Sequence, residues 1–227
     1  MQWLLALDFE RAALCASDGV MAAKEPSFAA SNAVPLATAL IASLRIDEAA
    51  EVCEKWLPHL ERSENTWLGM MLQAAGAAVR LVRGDLSAGP RDALRSQALV
   101  RESGDRSTRL FIGAFIMLTH VSIVRMDLKP PLLALLRNPW FTFMHAPFAA
   151  RTSRRLMAEL QSNCAEFGLH GLANLLDLGQ GRLLARQGRA DAARACVDRI
   201  KNRLKEAAIA SEPMALSALT TEIDAVG

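Results

Sequence analysis

Tyrosine is missing from this 227-residue chain, and aromatic residues of every kind make up 5% of it. Sandwiches and barrels draw on aromatic and β-branched side chains to cover their sheets, so the shortage weighs against an all-β fold. No segment alternates apolar and polar residues as a half-buried strand would. Cysteine is scarce too. Cys15, Cys53, Cys164 and Cys196 stand far apart with no C-x-x-C pair, which argues against a disulfide framework or a zinc site and leaves buried free thiols in a reducing compartment. An excess of one charge is also lacking. Lys and Arg total 26 against 24 Asp and Glu, a formal net charge of +2 with the two signs interleaved, where a nucleic-acid binder gathers a basic face.

Long apolar runs are absent as well. The most apolar stretch, Leu110 to Val124, is interrupted by Gly113, Thr119 and His120 and is shorter than the roughly 20 residues that span a bilayer. It reads as a buried helix. The apolar lead from Trp3 to Leu7 is stopped by Asp8, Glu10 and Arg11 with no basic region before it, unlike a secretory signal. The expectation is a cytoplasmic protein without a membrane partner.

Catalytic signatures are likewise missing. There is no G-x-x-x-x-G-K-[S/T] phosphate loop, no H-E-x-x-H pair and no G-x-S-x-G elbow. Gly179-Gln180-Gly181 is half a dinucleotide fingerprint, but no strand precedes it and the third Gly is absent, so close helix packing is its better reading. His59, His120, His145 and His170 are scattered, and His120 reads as a core residue of an apolar helix rather than a ligand. Asp47 and Glu48 are explained by the first turn of a helix, where carboxylates complement the dipole. The sequence therefore predicts no catalytic residue, no metal and no cofactor.

What is present in abundance is helix. Hydrophobic residues make up 52% of the chain, and they recur at three- and four-residue steps, as in Leu36, Leu40, Ile41 and Leu44. This periodicity, broken at Pro and Gly, predicts helices over 2–6, 9–24, 30–44, 47–61, 65–83, 90–102, 107–126, 130–137, 148–167, 169–187, 190–209 and 212–225. Short connections favour antiparallel neighbours.

The pattern also repeats. Leu7-Asp8-Phe9-Glu10-Arg11-Ala12-Ala13 aligns with Leu44-Arg45-Ile46-Asp47-Glu48-Ala49-Ala50 at an offset of 37 residues (44 − 7). Gly84 follows Leu44 after 40 residues (84 − 44), and Gly188-Arg189-Ala190-Asp191-Ala192-Ala193 has the same form. Periods of this length belong to arrays of helix pairs. Gly181, Gly188 and Ala193 carry a small residue, a turn residue seven later and an Ala five after that. Ala37, Leu44 and Ala49 keep the same spacing, as do Ala77, Gly84 and Gly89. In these residues the chain resembles the tetratricopeptide repeat, over segments 1–102 and 169–209, and is similar to the divergent repeat arms that follow the ATPase or nucleotide-cyclase domains of large bacterial signalling proteins. Bulky aromatics usual in that family are replaced, with Leu40 and Leu184 at Tyr positions. Cys15 and Cys53 lie 38 apart (53 − 15) and are expected to fill equivalent buried slots.

The resemblance implies an all-α fold, a right-handed solenoid of antiparallel helix pairs forming one domain over 1–227. It implies a non-catalytic scaffold for a protein or peptide, or a regulatory module packed on a catalytic domain covalently linked to it in a longer architecture. The short lead before the first turn is what a fragment of such an architecture would show. Residues 127–147 break the period as an irregular insertion that gathers Trp140, Phe141 and Phe143. Together with Arg151, Arg154 and Arg155, which cluster on the following helix, they are the candidate partner-binding residues; the competing readings are a loop that folds back with Trp140 and Phe143 in the core, and a solvated helix face for the arginines. Two other functions compete. A DNA-associated regulator would use helices in 148–187 as a helix-turn-helix. A small-ligand domain would place a pocket near His120 and Trp140.

Overall fold

A computed structural model describes residues 6–61, 66–88, 132–139, 143, 149–167, 169–207, 209 and 213–226. Among these residues every regular element is a helix: α1 (Phe9–Ala22), α2 (Pro26–Ala42), α3 (Ile46–Glu61), α4 (Thr66–Val82), α5 (Leu132–Arg137), α6 (Ala149–Phe167), α7 (His170–Arg186), α8 (Ala190–Glu206) and α9 (Met214–Asp224). Consecutive helices pack on one another within α1–α4 and within α6–α9. The expected helices at 90–102 and 107–126, and that at 2–6 apart from Ala6, which lies in a turn, fall outside the described residues. So does most of the 127–147 insertion, within which α5 is described. The α2 start differs from expectation. The helix begins at Pro26 rather than residue 30, because a proline at the first helical position gives up an N–H that has no intrahelical partner anyway.

The turns impose a common register. Among the described residues Leu7, Leu44, Gly84 and Gly188 have left-handed backbone, at φ of 64°, 61°, 84° and 70°. At three of them the bonds are the same. The turn residue donates to the carbonyl three back (Leu44 to Ile41 at 3.1 Å, Gly84 to Leu81 at 3.0 Å, Gly188 to Ala185 at 2.9 Å). The next residue donates to the carbonyl five back (Arg45 to Leu40, Asp85 to Arg80, Arg189 to Leu184). This is the Schellman closure that satisfies the last carbonyls of a helix. The helices α2, α4 and α7 are each 17 residues long, and each ends two residues before its turn residue. The helices α1, α3 and α8 each begin two residues after theirs. The α2–α3 and α7–α8 hairpins therefore share one turn geometry, and α2 also touches α4 as α7 touches α9.

Small side chains set the spacing within each hairpin. Ala37, Ala49 and Ala193 are fully buried and Ala77 nearly so. At Gly181 a Cβ would lie 2.8 Å from Leu219 Cδ2 and 3.4 Å from Cys196 Cβ, so α8 and α9 approach α7 more closely there than a larger residue permits. Counting from the turn residue, positions 5, 9 and 16 of the second helix carry Ala49, Cys53 and Leu60 in α3, and Ala193, Val197 and Leu204 in α8, all buried. That is one helix face at 3.6-residue spacing.

The cysteine expectation requires correction. Cys53 is buried, whereas Cys15 is exposed. Cys53 follows its turn by nine residues (53 − 44) and Cys15 by eight (15 − 7). One residue is about 100° around a helix, so the true equivalent of Cys53 is Ala16, which is buried.

Candidate functional site

Side chains along α7 at 170, 173, 177 and 180 fall on one stripe, at steps of three and four. The corresponding stripe of α2 includes Ala29, Ala33 and Leu36, which are buried against neighbouring helices. In α7 the same positions are Ala173, Asp177 and Gln180, with exposed His170 at the near end, and they floor a cleft of about 600 Å³. One wall is Gln161 and Cys164 of α6. The other is Arg199 and Arg203 of α8, with Leu169 at the α6–α7 turn.

Asp177 is the centre of this site. It is 3% exposed, a position where a lone carboxylate would be very costly. Both of its oxygens are occupied. Arg199 donates to Oδ1 through Nε at 3.1 Å and Nη2 at 2.6 Å, and Arg203 donates to Oδ2 through Nη2. Arg203 is further fixed by its Nε, which donates to Asn174 Oδ1 at 2.8 Å, and by a bond to the Ala173 carbonyl at 3.3 Å. Arg199 and Arg203 are four residues apart on α8, so one helix face presents both guanidiniums. Asn174 and Asp177, three apart, meet them from α7. Hydrogen bonding to Asp177 holds the Arg199 guanidinium above its ordinary pKa.

The amide pair Gln161–Gln180, at 2.7 Å, ties α6 to α7 along the same cleft. Burial pushes the Cys164 thiol up. The same holds for Cys196 beneath Arg199, whose Nη2 lies 3.2 Å from the sulfur. Among the described residues no group of three or more His, Cys, Asp or Glu side chains is placed to hold a metal ion. No helix among them is long and apolar enough to cross a membrane.

The fold does not require this polar cluster. Asp177 and Asn174 stand 11 and 14 residues before Gly188, where Ala33 and Ala30 stand before Leu44, and both alanines are fully buried. Arg199 and Arg203 stand 11 and 15 after Gly188, where Lys55 and His59 stand after Leu44, both exposed. The same hairpin thus forms with an apolar contact in one unit and an ionic one in another. A buried ion pair is on balance little better than the apolar contact it replaces.

The residues singled out from sequence lie elsewhere. Phe143 is exposed, as are Arg151 and Arg155 on α6. Trp140, Phe141 and His120 lie outside the described residues, and so does the side chain of Arg154. The structure does not bring these residues together into a described site. The sequence held a signal for the α7–α8 cluster, a charged residue inside the apolar run Leu175-Leu176-Asp177-Leu178. The acids at Asp47 and Glu48 do more than face a helix dipole. Glu48 accepts from Arg45 at 2.6–2.7 Å, and Asp47 accepts from Arg83 of the next turn at 2.9 Å.

No protein-family model, curated protein or solved structure matches this chain.

Proposed function

We propose that this chain is a non-catalytic interaction module, a solenoid of tetratricopeptide-like helix hairpins that holds another protein or a linked domain. The observation that carries this reading is the recurrence of one hairpin geometry, with 17-residue first helices closed by the same left-handed turn. Helices two apart in the chain also touch, α2 with α4 and α7 with α9. Stacking of that kind builds an extended surface, which such arrays use for binding. Further support comes from the α6–α7–α8 cleft, which is lined by amides, guanidiniums and a neutralised carboxylate. Burial pushes its thiol up.

The test is capture of partners by the immobilised full chain from native lysate, repeated after the chain is unfolded and blocked. A defined set of proteins retained only by the folded chain supports the module. Recovery of the same background from both forms removes it.

A further inference from the structure

We infer that the cleft between α6 and α8 anchors an acidic side chain of a bound peptide, with Arg199 as the contacting residue and Asp177 as the residue that positions both guanidiniums. The inference deepens the interaction-module reading and rests on it.

Three observations converge. First, the cluster is confined to one hairpin of a repeating geometry. The equivalent stripe of α2 is filled by alanine and leucine packed against neighbours, whereas on α7 it borders open volume. The α2 hairpin packs with buried alanine at the places of Asp177 and Asn174. Second, the charges do not cancel. The described lining side chains include two guanidiniums and one carboxylate, an excess of one positive charge among these three groups. Third, the two arginines differ in access. The Arg203 side chain is 18% exposed and held at three acceptors, so it is a fixed support. The Arg199 side chain is 45% exposed and reaches solvent while Asp177 holds its Nε edge. Among the described residues its Nη1 has no hydrogen-bond partner, which leaves donors for an incoming oxygen.

Charge matching selects the ligand class. One carboxylate, at −1, balances the single excess charge. A phosphate, at about −1.5 to −2, would leave negative charge uncompensated beside buried Asp177. The volume of about 600 Å³ is of the size that takes a small ligand or a few side chains. Gln161 on the opposite wall and Gln180 on the floor supply neutral amides. A free dicarboxylate shares this chemistry, and the experiment separates it from a peptide.

The probe is an array of short peptides in which each acidic sequence is paired with a twin carrying Asn for Asp or Gln for Glu. The expected result is a subset of acidic peptides bound by the wild-type chain, with at least about tenfold loss in the amide twins. The same loss is expected for Arg199→Gln. Arg199→Gln can disturb α8, so Gln161→Glu serves as a second variant. It adds a negative charge across the cleft without touching Asp177 and should weaken the same peptides. Succinate and inorganic phosphate are tested alone by thermal shift. Equal binding of acid and amide twins, or unchanged binding by both variants, overturns the inference. So does a shift with succinate when no peptide binds, or a stronger shift with phosphate. Lysate capture that survives in both variants while acid dependence is absent overturns the cleft assignment and leaves the interaction module standing.

Discussion

Asp177→Ala should destabilise the chain by about 3 kcal/mol, yet the same substitution should be nearly harmless inside a fourfold variant. Removing one partner of a buried ion pair costs about 3–5 kcal/mol because the remaining charge is stranded. Here the penalty lies at the low end. Arg199 is 45% exposed and can turn to water, and Arg203 keeps Asn174 and the Ala173 carbonyl. The fourfold variant Asn174→Ala, Asp177→Ala, Arg199→Lys, Arg203→His installs on α7 and α8 the residues that α2 and α3 carry at Ala30, Ala33, Lys55 and His59. It removes the stranded guanidiniums together with their acceptor, and the loss should shrink to about 1 kcal/mol or less. For a chain of this size each kcal/mol moves Tm by about 2–4 °C. The single variant should therefore melt about 6–12 °C below wild type by far-UV circular dichroism, and the fourfold variant within a few degrees of it. If the fourfold variant is as unstable as Asp177→Ala, the two hairpins are not equivalent and the positional reasoning fails. If Asp177→Ala melts with wild type, the buried carboxylate is not engaged as described.

Other expectations follow from the turns, the thiols and one cap. Leu44→Gly relieves a left-handed residue that is 69% exposed and should be neutral to stabilising by up to about 1 kcal/mol. Leu7→Gly, at the same φ but 1% exposed, should cost about 2–4 kcal/mol in urea titration; equal effects at the two sites would contradict their burial. In native protein one thiol per chain, Cys15, should react promptly with a thiol reagent, and the other three should react only on unfolding. Cys53 is pushed up to about 12 by burial, and mass spectrometry of the labelled peptide decides this. Asp85 accepts from Ala88 N at 2.9 Å and from Ser87 Oγ at 2.8 Å, with the Ala88 bond the largest cause holding its carboxyl below the usual range. Its contribution is therefore present above about pH 4 and is lost as pH falls through the depressed native value. Asp85→Ala should cost about 1 kcal/mol at pH 7, and less in acid, by denaturant unfolding across pH.

Much of the helical content was legible because local chemistry dictates it. Gly84 and Gly188 mark their turns by themselves, since glycine enters the left-handed region without a Cβ penalty. Leu7 and Leu44 adopt the same conformation with no such mark and could be placed only by aligning their flanks with each other. The site was less legible. Asp177 contacts residues 22 and 26 positions later, across a turn. Only the register of α7 against α8 says which arginines it meets. The aromatics near Trp140 stand out in the sequence instead, because their irregularity is visible without a fold. The equation of Cys15 with Cys53 failed by a single residue, and a one-residue error on a helix reverses inside and outside.

Hairpins that share one turn geometry can pair their helices wrongly, and the ionic cluster on α7 bears on that problem. Alanine-lined stripes such as that of α2 fit many partners almost equally well. The α7 stripe does not. Setting α7 against α1 in the same register would bring Asp18 to the place of Arg199 and Ala22 to that of Arg203. Against α3 it would meet Lys55 and His59. Among the described second helices, only α8 offers two guanidiniums at those places. Asp177 is thus a key that, among the described second helices, fits the lock of α8 alone.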